Sequence, residues 1–155
     1  MPLFGKRSPA VFELPANLRS DLRSLLDSAP PAASEWQRRP GALPALMLVN
    51  ARLPADEAIL ALVHCLKMPQ CMKGYLALSS SRLIYAFKPE TGDPQLTAIP
   101  LGAVSQFVFD AGMAVVEFGP ERRQIDVGFP GGGQYSLQVC ERVRAATQKP
   151  DPYSI

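Results

Sequence analysis

Histidine occurs once in the 155 residues, at His64, and tryptophan once, at Trp36; cysteine occurs three times. An odd number of cysteines in a chain with a substantial core is no disulfide framework, and it points to a reducing compartment. His64, Cys65 and Cys71 are the only cluster with metal-ligand chemistry, and their spacing matches no common zinc pattern. His64 and Cys65 are neighbours in an expected strand, so their side chains face opposite ways. A hydrolytic nucleophile needs a base beside it, and His64 is the only histidine available to Cys71 or Cys140. Gly131-Gly132-Gly133 precedes a helix but lacks the lysine and spacing of a phosphate loop. No catalytic residue, metal or cofactor is therefore expected.

Long apolar runs are also missing. None reaches the roughly 18 residues needed to span a bilayer. The opening MPLFGKRSPAVFELP has basic residues but no apolar core of about 7–15 residues after them. A cytoplasmic protein is the expectation. One-signed charge is scarce too: 16 basic and 14 acidic residues, interspersed, leave a net charge of +2. Nucleic acid usually calls for a concentrated basic patch, so no nucleic-acid partner is expected. Glu57, Asp110, Glu117 and Asp126 are scattered over turns and strand faces, as solvated carboxylates are.

What the chain has in excess is proline, 16 residues, with 47% hydrophobic residues overall. Many prolines lie before residue 55. Residues 1–14, with Leu3, Phe4, Lys6 and Arg7, read as a flexible tail. Residues 15–52 read as a helix followed by a proline-rich linker. Leu18, Leu22, Leu25 and Leu26 make one apolar stripe, Asn17 is placed to cap it, and Pro30-Pro31 to end it. Residues 30–44, which carry Trp36, read as the linker, and Leu46–Val49 as a short run of ambiguous type. A helix so separated is expected to be an accessory, and a chain starting near Ala51 to stay folded.

From Leu53 the pattern becomes regular. Strands are expected at 58–66, 75–78, 82–88, 95–99, 104–110, 113–118 and 124–129, with short turns typical of antiparallel neighbours. Leu76, Leu78, Leu83 and Tyr85 are core candidates, and Phe87 shares a face with Leu83 and Tyr85. Pro100 breaks the ladder because it has no N–H to donate, and so makes a corner. After the glycines the period changes to that of a helix, with Tyr135, Val139, Cys140, Val143 and Ala146 on one stripe. Residues 149–155 read as a C-terminal tail.

Asp56-Glu57, then Gly74-Tyr75-Leu76-Ala77-Leu78-Ser79 with Arg82-Leu83-Ile84-Tyr85, then Ile99-Pro100-Leu101-Gly102-Ala103-Val104 and a closing helix form an ordered set. Over residues 53–148 this set resembles the bacterial pleckstrin-homology-like domains, related in style to GRAM domains. The resemblance implies a mainly β fold with α: a bent antiparallel β-sandwich or barrel closed by a C-terminal helix, here with an N-terminal helical extension. It also implies a non-catalytic module that binds a protein partner through a sheet edge or groove. Lipid-binding members gather basic residues around the first strand-to-strand loop. The counterparts here, Lys67, Met68, Met72 and Lys73, with Arg82 further on, are the candidates for contact with a ligand or an anionic membrane surface. From its place after a turn, Arg82 is expected to bond loop carbonyls.

Overall fold

The structure, a computed structural model, describes residues 11–110, 112–131 and 133–148. Residues 1–10 of the tail expected at 1–14, and the tail expected at 149–155, lie outside these residues. Helix α1 (Ser20–Asp27), helix α2 (Pro31–Gln37), a 3-10 turn (Pro40–Ala42) and helix α3 (Leu43–Arg52) precede the strands. These are β1 (Ile59–Lys67), β2 (Met72–Ser79), β3 (Arg82–Lys88), β4 (Gln95–Pro100), β5 (Val104–Phe109), β6 (Met113–Phe118) and β7 (Arg123–Gly128). Helix α4 (Gly133–Thr147) closes the described chain. The fold is mainly β with α: one seven-stranded antiparallel sheet ordered β4-β3-β2-β1-β7-β6-β5, with a C-terminal helix. The sheet is strongly bent. Tyr85 of β3 and Phe118 of β6 have ring centroids 6.3 Å apart although three strands' worth of sheet order separates them. The terminal strands β4 and β5 are not paired with each other. No described helix is long and apolar enough to cross a membrane.

Local chemistry explains the hairpin at the centre. Between β2 and β3 the Ser79 hydroxyl accepts the N–H groups of Ser81 (3.2 Å) and Arg82 (2.9 Å), a side chain doing the work of a turn carbonyl. At the other end, a Cβ on Gly74 would sit 1.8 Å from the Ala86 carbonyl oxygen, so only glycine lets these strands meet. Pro100 ends β4, and the 3-10 turn Leu101–Ala103 makes the corner expected there.

Two cores lie on the two faces of the sheet. The inner one joins residues of every strand, among them Leu76, Leu78, Leu83, Tyr85 and Phe87, to Val139, Cys140 and Val143 of α4. The outer one packs Leu18, Leu22 and Leu26, with Ala45, Leu46 and Val49 of α3, onto Leu62, Tyr75, Ala77, Ile84 and Ala86. Strands β1 to β3 are therefore buried on both faces, which is why their runs are nearly continuous in apolar residues.

The expected proline-rich linker is thus helical. Pro31, Pro40 and Pro44 each stand in the first turn of a helix or 3-10 turn, where the missing N–H has no partner to lose. Asn17 does not cap α1; Arg19 precedes its first residue, and its N–H goes to Asn50 Oδ1 at 2.8 Å. Residues 11–14, expected in the tail, are held as well. Phe12 is buried, its N–H bonds the Arg38 carbonyl at 2.9 Å, and the Arg38 guanidinium bonds its carbonyl.

Two outcomes follow from this packing. A chain starting at Ala51 uncovers the outer faces of β1 to β4 and is expected to lose its cooperative melting transition and aggregate; a sharp transition near that of the full chain would mean the helical layer is dispensable. Val139 is 4% exposed in the inner core, whereas Arg142 is exposed and donates one bond, to the Leu60 carbonyl at 2.7 Å. Denaturant titration should show Val139→Asp losing about 4 kcal/mol for an unpaired buried charge and Arg142→Asp about 1 kcal/mol.

Candidate functional site

Strand β1 is paired along its whole length with β2, but with β7 only at Leu66 and Lys67. Its earlier part has an edge with no neighbouring strand, and side chains take that place. Gln37 at the end of α2 donates from Nε2 to the Leu62 carbonyl (3.0 Å) and accepts the His64 N–H at Oε1 (2.5 Å). The Tyr135 hydroxyl on α4 also donates to the Leu62 carbonyl (2.9 Å), and Arg142 reaches that of Leu60. Tyr75 on β2 donates to the Gln37 carbonyl and fixes the end of α2.

Between α2, β1 and the first turn of α4 this arrangement leaves a cleft of about 200 Å³. Its walls are Ala33, Trp36, Val63 and Phe129, and Gly133–Ser136 of α4 line one end. A Cβ on Gly131 would lie 2.6 Å from Trp36 Cδ1, so this glycine is what gives the indole its seat. His64 forms part of the cleft, 3% exposed, and neither Nδ1 nor Nε2 has a hydrogen-bond partner among the described residues. The imidazole lies 6.1 Å from the Trp36 ring centre and edge-on to Tyr75 at 5.8 Å. The Arg39 guanidinium covers Trp36 at 4.1 Å. Burial, and then the positive charges of Arg39 and Lys73, push His64 down to about 4. A buried imidazole without partners is costly, and it offers one donor and one acceptor to whatever enters.

The other singled-out residues lie elsewhere. Cys65 is on the opposite face from His64, in the inner core with Cys140. Burial, and then Cys140, push the Cys65 thiol well up; burial, and then Asp110, push Cys140 up to about 12. Cys71 is exposed in the turn that joins β1 to β2, after the cis Met68–Pro69 bond. Lys67 and Lys73 are at the same end of the sheet but belong to opposite faces. Lys67 lines an opening of about 310 Å³ with Tyr85, Phe118 and Arg123, while Lys73 stands directly across from Lys88, beside Gly41. Met72 packs against the inner core, and Met68 is half-buried, its N–H bonded to the Asp126 carbonyl.

Arg82 is at the far end of the hairpin, about 20 Å along the strand from Lys73 at roughly 3.4 Å per residue. It pairs with the Glu57 carboxylate through Nε (3.1 and 3.2 Å) and a terminal nitrogen (2.9 Å), not with loop carbonyls. That guanidinium holds the Glu57 carboxyl below its usual range, so Glu57 is an ion-pair partner rather than a solvated surface acid. The five candidates therefore do not converge. Trp36, Gln37 and Gly131, which do converge with His64, stood in segments read as linker or connection. The legible signal was a lone histidine in an otherwise apolar strand.

Comparison with known proteins adds no relative: no protein-family model matches the chain, and no curated protein matches it.

The cleft makes a pH dependence. An unfolded His64 takes up its proton near pH 6.5, but the folded one resists until about 4. Folding should thus lose up to about 3 kcal/mol as the pH falls through that window, with no further loss from this group below it. The charges facing His64 are those of Arg39 and Lys73, and among the described residues no carboxylate lines the cleft. Melting curves of the native chain should decline between pH 6.5 and 4.5, while His64→Leu stays flat there.

Proposed function

We propose that the chain is a non-catalytic binding module of pleckstrin-homology-like architecture, and that a protein partner seats one anchor group in the cleft at Trp36 and His64. The observation that carries this reading is the buried imidazole with both ring nitrogens unpartnered in an open cleft. Pockets for drug-sized ligands usually run from about 300 to 1,000 Å³, whereas a single side chain fills a space of this size. Interfaces concentrate their energy in such anchors, and an indole wall beside a polar group suits one.

The chemistry of the site favours binding over catalysis. An imidazole held near 4 is a poor base at neutral pH, and the buried thiols are far from their reactive thiolate form. A cytoplasmic setting fits three cysteines that are all free. The competing reading, an anionic membrane surface, rests on Lys73 and Lys88 side by side and the exposed turn between β1 and β2.

Trp36 is the only tryptophan, so its fluorescence reports on this cleft alone. Heptapeptides selected from a random library on the native chain should shift that emission. In calorimetric titrations they should bind at least tenfold more weakly to Gly131→Val, which crowds the indole, and to Trp36→Ala, with melting curves to verify folding. Binders indifferent to both variants would remove the cleft from the partner site. Salt-sensitive binding to phosphatidylserine vesicles, lost in Lys73→Glu/Lys88→Glu, would favour the membrane instead.

A further inference from the structure

The cleft has a polarity as well as a shape. Helix α4 is 15 residues long, and its first turn, which lines the cleft, contains no acidic residue. The N–H groups at a helix start carry a partial positive charge, which favours an anion. A helix start is not by itself a site, but here a second group points the same way: His64, 3% exposed, with no partner for either ring nitrogen. Beside it, Arg39 Nε is buried and also unpartnered, over the indole. Among the described residues no aspartate or glutamate lines the cleft to answer this excess of donors.

We propose that the anchor group is the C-terminus of a partner polypeptide: its free carboxylate lies between His64 and the first turn of α4, and its last, apolar side chain rests on Trp36. This rests on the cleft being the partner site. An internal segment is a worse fit on two counts. It would bring several backbone groups into a space where Gln37 and Tyr135 are already committed to β1. The edge of β1 that an extended peptide would need for strand addition is filled by those same side chains. A chain end brings one carboxylate and leaves by the way it entered.

The test compares synthetic random heptapeptides with free C-termini and the same library amidated, read by Trp36 emission. Free acids should bind at least tenfold more tightly than their amides. Gln134→Glu places a carboxylate in the first turn of α4 at an exposed, cleft-lining position. It should abolish that tenfold preference without lowering the melting temperature, because an acidic first turn suits the helix dipole. His64→Leu should do the same. Equal affinity for acids and amides, still lost in Gly131→Val, would overturn the carboxylate and leave the cleft as partner site. Affinities indifferent to Gly131→Val would overturn both. Acetate, benzoate or N-acetylphenylalanine binding as tightly as the best peptide acid would make the ligand a free small carboxylate and overturn the chain-end assignment.

Discussion

The unpaired edge of β1 is the constraint on which the rest of this molecule turns. A strand whose N–H and C=O groups are buried without partners loses on the order of 1–3 kcal/mol for each. The sheet cannot supply those partners, because β7 meets β1 only at Leu66 and Lys67. The Gln37 amide supplies one donor and one acceptor in the geometry of a backbone amide, and Tyr135 and Arg142 complete the set. One consequence is that α2 and α4, far apart in sequence, are tied to the same stretch of strand. Another is that they cannot close on each other, and the space between them is the cleft.

The second organising fact is burial of β1, β2 and β3 on both faces. Alternation along β2 and β3 sends Leu76, Leu78, Leu83 and Tyr85 inward, and Tyr75, Ala77, Ile84 and Ala86 outward beneath the helices. Arg19 ties the helical layer to the start of β1, with bonds to the carbonyls of Leu53, Pro54 and Glu57. Asp21 bonds the Ile59 N–H at 3.0 Å.

From Leu53 onward the sequence is legible because period and turn chemistry are local. Arg82–Lys88 and Met113–Phe118 fall where alternation and turn residues place them. The first third misleads for a physical reason. Proline both breaks helices and begins them, and composition alone does not distinguish Pro31 at a first turn from a proline in a linker. The continuous apolar character of LALVHCL and LIYAF is the imprint of burial on both faces, which alternation of one face alone does not reveal. The cleft was hardly legible at all. Its pieces stand at Trp36, His64, Gly131 and Tyr135, and only the gap between β1 and β7 brings them together.

Because the helical layer precedes the strands in the chain, it leaves the ribosome before the strands it lies on exist. Leu22, Leu26, Leu46 and Val49, all fully buried in the finished fold, must stay uncovered until β3 has been made and paired. For that interval the nascent chain is a string of apolar stripes in water, the kind of surface that chaperones hold and that associates with other copies. Placing the cover ahead of the sheet thus makes the order of synthesis, and not only the final packing, a condition of reaching this fold.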